Sequence, residues 1–377
     1  MMLTEKYSGE QNMNQIVDRK MSTAVLTVFY ILVLTLVTLA SVVPAHAAPK
    51  NVYYVDDDGG YDFTTIQAAI DACISGDKIH VYAGEYTENL VIDVSITLTG
   101  EDPANTIIDG SGGSNCIYVN NVMVRITGFT ITGGKAHGIY LNDNCAGSII
   151  TGNTITGNTQ DGIFMLGSDE CTIKGNTIEN NGYYGIQLRI DCDDNQIKGN
   201  TITGNHLANI FLFSGCDGNL VKGNEISYSE TDYGIWLYSS CDDNEIKGNT
   251  ITGNHLANIN LYQPNERNLI QGNEISYSET GQGINFYYLG SYTMIIGNEI
   301  TDNAREGIRM NVAGYNVISG NHVLRNGDYG IDLENNDDYN TIEKNIVLDN
   351  TIYDLYQASS SDFNTWTRNT YGTSSIN

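Results

Sequence analysis

The sequence predicts an all-β fold: a right-handed parallel β-helix solenoid with about 24 residues and three short strands in each coil. The first observation is a repeated phrase, Ile-x-Gly-Asn-x-Ile-x-x-Asn, which returns from Gly128 onward at steps of 23 to 25 residues. A period of this length is typical of solenoids, in which each unit buries its apolar face against its neighbours. The repeat position is occupied by Gly128, Gly152, Gly175, Gly199, Gly223, Gly248, Gly272, Gly297, Gly320, Lys344 and Arg368.

The second observation is the alternation of apolar and polar residues inside each repeat. In Tyr184–Asn205, Ile186 and Leu188 alternate with polar residues, and so do the residues around Ile197 and Ile202. This gives three period-two segments per coil, separated by corners rich in Gly and Asn. Within the repeats the interior is mostly Ile and no stretch has helical spacing, which argues against a leucine-rich repeat.

The Asn residues at the corners are predicted to be structural. Asn tolerates the left-handed backbone geometry of a corner, and stacked side-chain amides can form hydrogen bonds along a ladder. A block of two coils is duplicated in the sequence. Ile197–Ile210 and Ile246–Ile259, 49 residues apart, both read IKGNTITGNHLANI. The two expected files are Asn153, Asn176, Asn200, Asn224, Asn249, Asn273, Asn298, Asn321, Asn345 and Asn369, and then Asn195, Asn219, Asn244, Asn268, Asn316, Asn340 and Asn364.

Residues 1–47 have the features of a signal peptide. Arg19 and Lys20 precede an uncharged apolar run over residues 24–43, and Ala45-His46-Ala47 provides a cleavage site of small residues. The length of the apolar run leaves an uncleaved membrane anchor as the alternative. We therefore expect a secreted or cell-surface protein that contacts a membrane only through this segment, if the segment is retained.

Residues 48–104 are predicted to form an N-terminal cap helix and the first strands, followed by repeats over 105–369 and a tail over 370–377. Thr64 and Gln67 have the spacing of a capping box at the start of a helix that ends near Ser75-Gly76. Such a helix would cover an open sheet edge. No equivalent cover follows Trp366, so we expect that end to be closed by its own tail or by self-association with another chain. The apolar face of the helix is Ile66, Ala69, Ile70 and Cys73.

The composition excludes two classes of protein. The 377-residue chain has 18 Lys and Arg against 45 Asp and Glu, a formal net charge of −27. This charge repels phosphate backbones, so no nucleic-acid partner is expected. A hydrophobic content of 41% is too high for a disordered acidic tail. The charge also favours a neutral glycan over a polyanionic one, unless cations bridge the two.

Four of the seven cysteines share one position of the repeat, seven residues before the repeat position. We interpret them as small buried thiols rather than as a metal or redox site. Disulfides between adjacent coils, such as Cys192–Cys216, remain the alternative. The four are Cys145, Cys192, Cys216 and Cys241.

An aromatic strip is the main functional signal. On the strand type that contains Ile186 and Leu188, the outward positions of successive coils carry aromatic residues interleaved with amides. Aromatic faces stack on sugar rings, while amides and Tyr hydroxyls meet sugar hydroxyls, so a polysaccharide or cell-envelope glycan is the predicted partner. Cross-strand stabilisation of a solvated sheet is the alternative. The predicted ligand-binding residues are Phe211, Phe213, Trp236, Tyr238, Tyr262 and Tyr287.

A column of acidic residues flanks the strip. Carboxylates one coil apart repel by about 1 kcal/mol per pair in water, and a bound cation would remove that cost. Because clustered oxygens suit Ca²⁺, a calcium site is one hypothesis, and turn aspartates with local hydrogen bonds are the other. The column is Asp169, Asp193, Asp217, Asp242 and Glu266, of which the last four are the candidate metal ligands.

Catalysis in the same region would need titratable groups. Histidine and glutamate alternate in one column through His206, Glu230, His255 and Glu279, an arrangement that suits either general acid–base chemistry or surface ion pairs. Arg189 is the candidate cationic base or carboxylate anchor. The weak catalytic candidates are therefore Arg189, His206, Glu230 and His255.

Two stretches carry a family resemblance. YYVDDDGGYDFTTIQAAIDACISGDKIHVYAGEYTENLVI, with SITLTGED and TIIDG, resembles the N-terminal segment of pectinesterase- and pectate-lyase-like β-helices. The GNTITGN coils resemble the repeats of NosD-like and carbohydrate-binding or sugar-hydrolase surface proteins. The catalytic Gly-x-x-Asp-Phe-Ile-Phe-Gly of pectinesterases and the Asp-Pro-His of mannuronan epimerases are absent, and Ala136-His137-Gly138 is only a near match to the Gly-His-Gly of polygalacturonases.

The resemblance implies the fold and leaves three functions open. The first is a glycan-binding surface protein. The second is a polysaccharide lyase, hydrolase or epimerase that acts in the same groove. The third, from the NosD likeness, is an accessory factor for a copper enzyme, although no Met/His cluster with copper-ligand character is evident.

Overall fold

The computed structural model describes residues 50–288 and 290–376, and the predicted signal peptide lies outside these residues. The described chain winds into a parallel β-solenoid of about 13 coils with three sheets and one short helix. Every coil contributes one strand to each sheet, and each strand pairs with the equivalent strand one coil away. The all-β solenoid with three strands per coil is therefore confirmed. The described residues contain no helical segment with the length and hydropathy of a membrane span.

The strands divide into three parallel sheets, named A, B and C. Sheet A consists of β1 (Val52–Val55), β2 (Lys78–Val81), β5 (Thr97–Gly100), β8 (Arg125–Thr127), β11 (Ile149–Thr151), β14 (Thr172–Lys174), β17 (Gln196–Lys198), β20 (Leu220–Lys222), β23 (Glu245–Lys247), β26 (Leu269–Gln271), β29 (Met294–Ile296), β32 (Val317–Ser319), β35 (Thr341–Glu343) and β38 (Thr365–Thr367). Sheet B consists of β3 (Gly84–Tyr86), β6 (Thr106–Asp109), β9 (Thr130–Thr132), β12 (Thr154–Thr156), β15 (Thr177–Glu179), β18 (Thr201–Thr203), β21 (Glu225–Ser227), β24 (Thr250–Thr252), β27 (Glu274–Ser276), β30 (Glu299–Thr301), β33 (His322–Leu324), β36 (Ile346–Leu348) and β39 (Thr370–Tyr371). Sheet C consists of β4 (Leu90–Ile92), β7 (Ile117–Asn120), β10 (Ile139–Asn142), β13 (Ile163–Leu166), β16 (Ile186–Arg189), β19 (Ile210–Phe213), β22 (Ile235–Tyr238), β25 (Ile259–Tyr262), β28 (Ile284–Tyr287), β31 (Ile308–Asn311), β34 (Ile331–Leu333), β37 (Leu355–Gln357) and β40 (Ser374–Ser375).

The core is a stack of aliphatic columns. In sheet C, Ile186, Ile210 and Ile235 lie in register in successive strands, and all three are fully buried. Equivalent isoleucines fill the inner positions of sheets A and B, so each coil buries its apolar face on the coils before and after it. Burial of these columns supplies most of the stabilisation, since apolar area removed from water contributes roughly 25 cal/mol per Å².

The two predicted Asn files are confirmed as ladders of buried hydrogen bonds. In the first file each side-chain Nδ2 donates to the Oδ1 of the next Asn, as from Asn176 to Asn200 at 3.0 Å. In the second file the Oδ1 accepts a backbone N–H, as Asn244 does from Asn219 at 2.8 Å. The corner between sheets B and C holds a third file that the sequence prediction missed. Its members are Asn158, Asn181, Asn205, Asn254, Asn303, Asn326 and Asn350.

The cysteines are free thiols. All seven lie among the described residues without a disulfide, and all except Cys73 are buried. Burial raises the pKa of Cys171 to about 12 and that of Cys116 to about 12. The buried-thiol interpretation is therefore confirmed, and the Cys192–Cys216 disulfide alternative is not found.

The helix begins later than predicted. Helix α1 spans Ile66–Ala72, its N-cap is Thr65, and no side chain of Thr65 caps it. The Glu88 carboxylate instead accepts the free N–H groups of Ile66 and Gln67, at 2.8 and 2.9 Å. The predicted capping box of Thr64 and Gln67 is therefore wrong. The acceptor for the first N–H groups of the helix is Glu88, which is distant in sequence.

Gln67 joins the helix to the edge of sheet C. Its side chain accepts a hydrogen bond from the Val91 backbone N–H at 2.8 Å and donates one to the Val91 carbonyl at 3.2 Å. An amide side chain thus takes the place of a neighbouring strand on β4. That the helix protects this end of the solenoid remains a prediction, as does self-association at the other end, where residues 370–376 add β39 and β40.

Candidate functional site

Alternation along sheet C places two side chains of each four-residue strand on its outer surface. The register stacks Phe211 on Trp236 and Phe213 on Tyr238, and the second column continues through Tyr262 to Tyr287. The structure thus brings together all six residues predicted to bind a ligand. We name Phe211, Phe213, Trp236, Tyr238, Tyr262 and Tyr287 the aromatic ladder.

The rings of the aromatic ladder are stacked along the solenoid axis. The centroids of Phe211 and Trp236 are 4.5 Å apart with an interplanar angle of 29°. Tyr238 and Tyr262 are 5.2 Å apart at 14°, and Tyr262 and Tyr287 are 5.5 Å apart at 17°. These are favourable offset-stacked arrangements. These distances are close to the usual strand spacing of about 4.8 Å, and the ladder presents one or two rings per coil.

The aromatic ladder is less exposed than the sequence suggested. Phe211 is only 6% exposed, and the other five side chains are half-buried. Two tyrosines from the turns before the strands pack against the ladder. The ring centroid of Tyr184 lies 4.7 Å from that of Phe211, and the centroid of Tyr233 lies 5.1 Å from that of Trp236. The prediction of an exposed strip is therefore wrong for Phe211, because turn residues cover one side of the ladder.

Two buried donors on this face have no hydrogen-bond partner within the protein. They are Trp236 Nε1 and Asn260 Nδ2, and the two residues lie in register in adjacent strands. The Asn260 oxygen accepts a hydrogen bond from Asn285 Nδ2 at 2.7 Å, which fixes the orientation of the Asn260 amide. A buried donor without an acceptor costs free energy and calls for an explanation. Both atoms are closed to solvent, so an acceptor from outside the chain would reach them only after neighbouring side chains moved.

A cavity of about 300 Å³ opens at the N-terminal end of the same face. His137 and Asp161 lie one coil apart in its wall, with Nδ1 and Oδ2 3.0 Å apart but not aligned for a hydrogen bond. The His137 ring stacks on Phe164 at 4.6 Å and 12°, which holds the imidazole in place. We name this cavity the His137 pocket. Its lining is His137, Gln160, Asp161, Phe164, Tyr183, Tyr184, Gln187, Arg189 and Leu207.

Arg189 connects the His137 pocket with the aromatic ladder. Its guanidinium carbon lies 5.6 Å from the Phe213 ring centroid, a cation–π contact, and the side chain also lines the pocket. Burial, together with the charges of Asp232 and Asp161, raises the pKa of Tyr184 to about 12. Tyr184 therefore keeps its proton at neutral pH and can donate a hydrogen bond.

The other catalytic candidates form surface pairs instead of joining Arg189. His206 Nδ1 lies 2.9 Å from a Glu230 oxygen, and His255 Nδ1 lies 3.0 Å from a Glu279 oxygen. All four side chains are exposed. Exposed pairs of this kind contribute about 0 to 1 kcal/mol. The geometry suits the surface ion-pair alternative.

The acidic column forms a hydrogen-bonded ladder. The Oδ1 of Asp193 accepts the backbone N–H of Asp217 at 2.8 Å, and Asp217 and Asp242 accept in the same way from the next coil at 2.7 Å. Arg267 also contacts the carboxylates of Asp242 and Glu266. Among residues 50–288 and 290–376, no group of three His, Cys, Asp or Glu is placed to hold a metal ion. Calcium binding here remains a prediction.

A buried acidic cluster lies beyond the C-terminal end of the aromatic ladder. Asp332 is 1% exposed and its Oδ1 has no partner in the protein. Burial, followed by the nearby charges of Glu334 and Glu306, raises the pKa of Asp332 to about 8. Arg309 donates to both Glu334 oxygens, at 2.9 and 2.7 Å. This outer face of sheet C therefore changes from aromatic to charged within two coils.

Sequence reasoning missed the His137 pocket and the acidic cluster. Asp161 follows His137 by 24 residues, one coil, so a search for titratable residues at the repeat spacing would have found the pair. Asp332 occupies an outward position that carries aromatic or amide residues in several other coils. Its burial, however, depends on neighbouring side chains that no sequence pattern reveals.

Comparison with known proteins agrees with this architecture. Residues 115–265 match the family described as the right-handed β-helix region, and residues 212–377 match the family described as periplasmic copper-binding protein (NosD). The chain is a parallel β-helix repeat protein. A cell surface glycoprotein of Methanothermus fervidus is 39% identical over 92 residues, which cover 24% of this chain and 15% of that protein. The β-helix protein described here thus spans a small part of the length of that relative.

Solved structures share the fold at low sequence identity. The A-module of a mannuronan C-5 epimerase from Azotobacter vinelandii is 17% identical, with a TM-score of 0.58 over 86% of this chain and 100% of that chain. The catalytic unit of a GH87 α-1,3-glucanase from Streptomyces thermodiastaticus is 15% identical, with a TM-score of 0.58 over 89% of this chain and 72% of that chain. A GH87 α-1,3-glucanase catalytic domain in complex with tetrasaccharides is 14% identical, with a TM-score of 0.63 over 87% and 70%.

Proposed function

We propose that this β-helix protein is an extracytoplasmic, carbohydrate-related surface protein whose aromatic ladder binds a neutral glycan chain. The observation that carries the proposal is the stack of aromatic rings that follows the outer surface of sheet C through successive coils, with the Asn260 amide in register beside Trp236. Sugar hydroxyls and ring oxygens supply acceptors, and sugar C–H groups can contact the ring edges, since the ring faces are stacked on one another. The likeness to a cell surface glycoprotein and to polysaccharide-acting β-helices is consistent with this function.

The charge of the chain narrows the glycan class. With a net charge of −27, the protein repels a polyanionic chain unless cations bridge the two. Successive coils lie about 4.8 Å apart, a distance comparable with one sugar unit of an extended chain. A neutral polysaccharide that runs parallel to the solenoid axis would therefore meet equivalent rings and amides at each step.

The test is retention of oligosaccharides by the exported chain, with a panel of neutral and acidic glycans. Trp236→Phe keeps an aromatic ring but removes the unpartnered N–H, so we expect affinity for the retained glycan to fall about fivefold to tenfold. Trp236→Ala should abolish retention. Trp366→Phe is the matched control, because the Trp366 N–H already donates to Gln357 at 2.7 Å. No retention of any glycan by the wild type would overturn the proposal.

A second candidate function is polysaccharide cleavage or epimerisation in the His137 pocket. It is favoured by the half-buried His137 and the buried Asp161 next to Tyr184 and Arg189, groups of the kind used for proton transfer and carboxylate binding. Glycans incubated with the protein would show new products by mass spectrometry or ultraviolet absorbance. Loss of these products in both His137→Gln and Arg189→Gln would establish it, and an unchanged glycan pool would exclude it for the sugars tested.

A role in assembling a copper enzyme has less support. It is suggested by the NosD description of residues 212–377. Within the part of the chain that the structure describes, however, no group of three His, Cys, Asp or Glu is placed to hold a metal ion. The glycan-binding proposal therefore comes first.

A further inference from the structure

Four aromatic side chains form a second ladder on the corner between sheets C and A. Their successive centroid distances are 5.4, 5.0 and 4.9 Å, and their interplanar angles are 17°, 5° and 8°. Their exposed fractions run from 48% for Tyr339 to 70% for Phe363, so this ladder is far more open than the aromatic ladder on sheet C. We name Tyr292, Tyr315, Tyr339 and Phe363 the corner ladder.

The backbone of the corner ladder is in an unfavourable conformation for aromatic residues. All four have left-handed geometry, with φ between +55° and +59°. In bulky residues this geometry is uncommon and costs free energy, whereas Asn, Asp and Gly adopt it readily. Earlier coils follow that preference at several of the same corner positions, which are occupied by Gly147, Glu170, Asp194, Gly218, Asp243 and Arg267.

Stability alone does not account for aromatic residues at these four left-handed positions. Stacking between neighbouring rings stabilises the corner by an amount of the same order as the backbone cost. The two contributions therefore roughly offset each other, and Asn at these positions would avoid the cost altogether. Large exposed apolar patches on soluble proteins commonly mark interaction sites.

The last ring of the aromatic ladder and the first ring of the corner ladder belong to the same coil. Tyr287, the last ring of the aromatic ladder, lies 4.4 Å from the exposed ring of Tyr288, and Tyr292 belongs to the same turn. From there the corner ladder continues through Tyr315 and Tyr339. Together the two ladders follow the axis over seven coils, a length of about 29 Å at the usual strand spacing.

We propose that the corner ladder is the second section of the glycan track, and that it binds the distal part of a long neutral glycan chain. The inference rests on the proposed function, because it extends the same track. Tyrosine hydroxyls at regular spacing can donate to sugar oxygens, while the ring edges contact sugar C–H groups.

The charges around the corner ladder favour a neutral occupant. Asp338 and Asp362 directly precede Tyr339 and Phe363 in the chain, so an anionic partner would be repelled. The nearest cation along this corner, Arg267, is engaged by Asp242, Asp243 and Glu266. A second copy of the chain carries the same net charge of −27 and is disfavoured for the same reason.

The experiment compares affinities for a short and a long neutral gluco-oligosaccharide from one linear series. In Tyr315→Asn and Tyr339→Asn we expect about fivefold weaker binding of the long chain and unchanged binding of the short chain, since only the long chain reaches the corner. Asn suits the left-handed geometry, so both variants should fold with unfolding midpoints near that of the wild type. Asp194→Asn introduces the same residue at the same corner position outside the ladder and is the matched control.

The outcomes separate this inference from the proposed function. Retention of no glycan of the panel by the wild type, short or long, would overturn both. Normal binding of the long chain by Tyr315→Asn and Tyr339→Asn, with the Trp236→Ala effect intact, would overturn the corner ladder alone. A wild-type dimer that Tyr315→Asn converts to a monomer would identify a second copy as the occupant and also overturn it.

Discussion

At the scale of single residues, Asp332 is the group with the clearest consequence for pH. It is buried, its Oδ1 has no partner, and its pKa is raised from 3.8 to about 8. The folded protein thus holds a proton on Asp332 at pH values at which the unfolded chain has released it. Since the folded state binds more protons, stability falls as pH rises between about 4 and 8. Burial raises the pKa of Asp337 to about 7, which acts in the same direction.

Asp332→Asn should remove most of this pH dependence. A single proton contributes a slope of up to about 1.4 kcal/mol per pH unit, and Asn cannot ionise. We expect the variant to be more stable than the wild type above about pH 8 and to lose less stability between pH 4 and 8. Urea unfolding midpoints between pH 4 and 8 measure this pH dependence of stability, and Asp93→Asn at an exposed position is the control. An identical slope in wild type and Asp332→Asn would contradict the assignment.

The sequence predicted which residues share a face but not which atoms meet. The six members of the aromatic ladder followed from alternation and period, because both are set by backbone geometry. The cover of Phe211 by Tyr184, and the contact between His137 and Asp161, depend on side-chain directions at turns. Turn conformation is decided by packing against the next coil, which the local sequence does not specify.

At the scale of elements, the first Asn file joins successive coils from Asn153 to Asn369. Asn249 Nδ2 donates to the Val221 carbonyl and to Asn273 Oδ1, both at 3.0 Å, while its own Oδ1 accepts from the backbone and side chain of Asn224. All of these atoms are buried. Their loss leaves polar groups without partners in two neighbouring coils.

Asn249→Ala is therefore expected to reduce the free energy of unfolding by about 3 kcal/mol, since each buried group left unsatisfied costs about 1 to 3 kcal/mol. The exposed Asn335→Ala should change it by less than about 0.5 kcal/mol. Urea or thermal unfolding followed by circular dichroism measures both. Equal effects of the two substitutions would show that the file adds little to stability.

Elements with a strict period were predictable, and the helix start was not. The strands of all three sheets repeat the same short pattern, so each coil supports the interpretation of the others. Helix α1 occurs once, and the group that satisfies its first N–H groups is Glu88, 22 residues beyond Ile66. A capping rule that considers only adjacent residues could not identify that partner.

At the scale of the whole molecule, a net charge of −27 makes stability dependent on salt. Added NaCl screens the repulsion among carboxylates, so the thermal midpoint should rise with ionic strength. A calcium site formed by Asp193, Asp217, Asp242 and Glu266 predicts a larger rise with CaCl₂ than with NaCl at equal ionic strength. Asp217→Asn should remove the additional rise. Equal midpoints in the two salts would contradict the calcium site.

The stacking of coils also determines how the molecule would respond to force. The hydrogen bonds between coils run parallel to the solenoid axis, both in the backbone ladders and in the Asn files. Tension along that axis therefore pulls on these bonds directly, and the interfaces between coils would break one at a time. The end coil, which has a neighbour on one side only, would peel away first and release about 24 residues, an extension of about 80 Å. A solenoid built in this way would lengthen in regular steps under shear while its remaining coils stay folded.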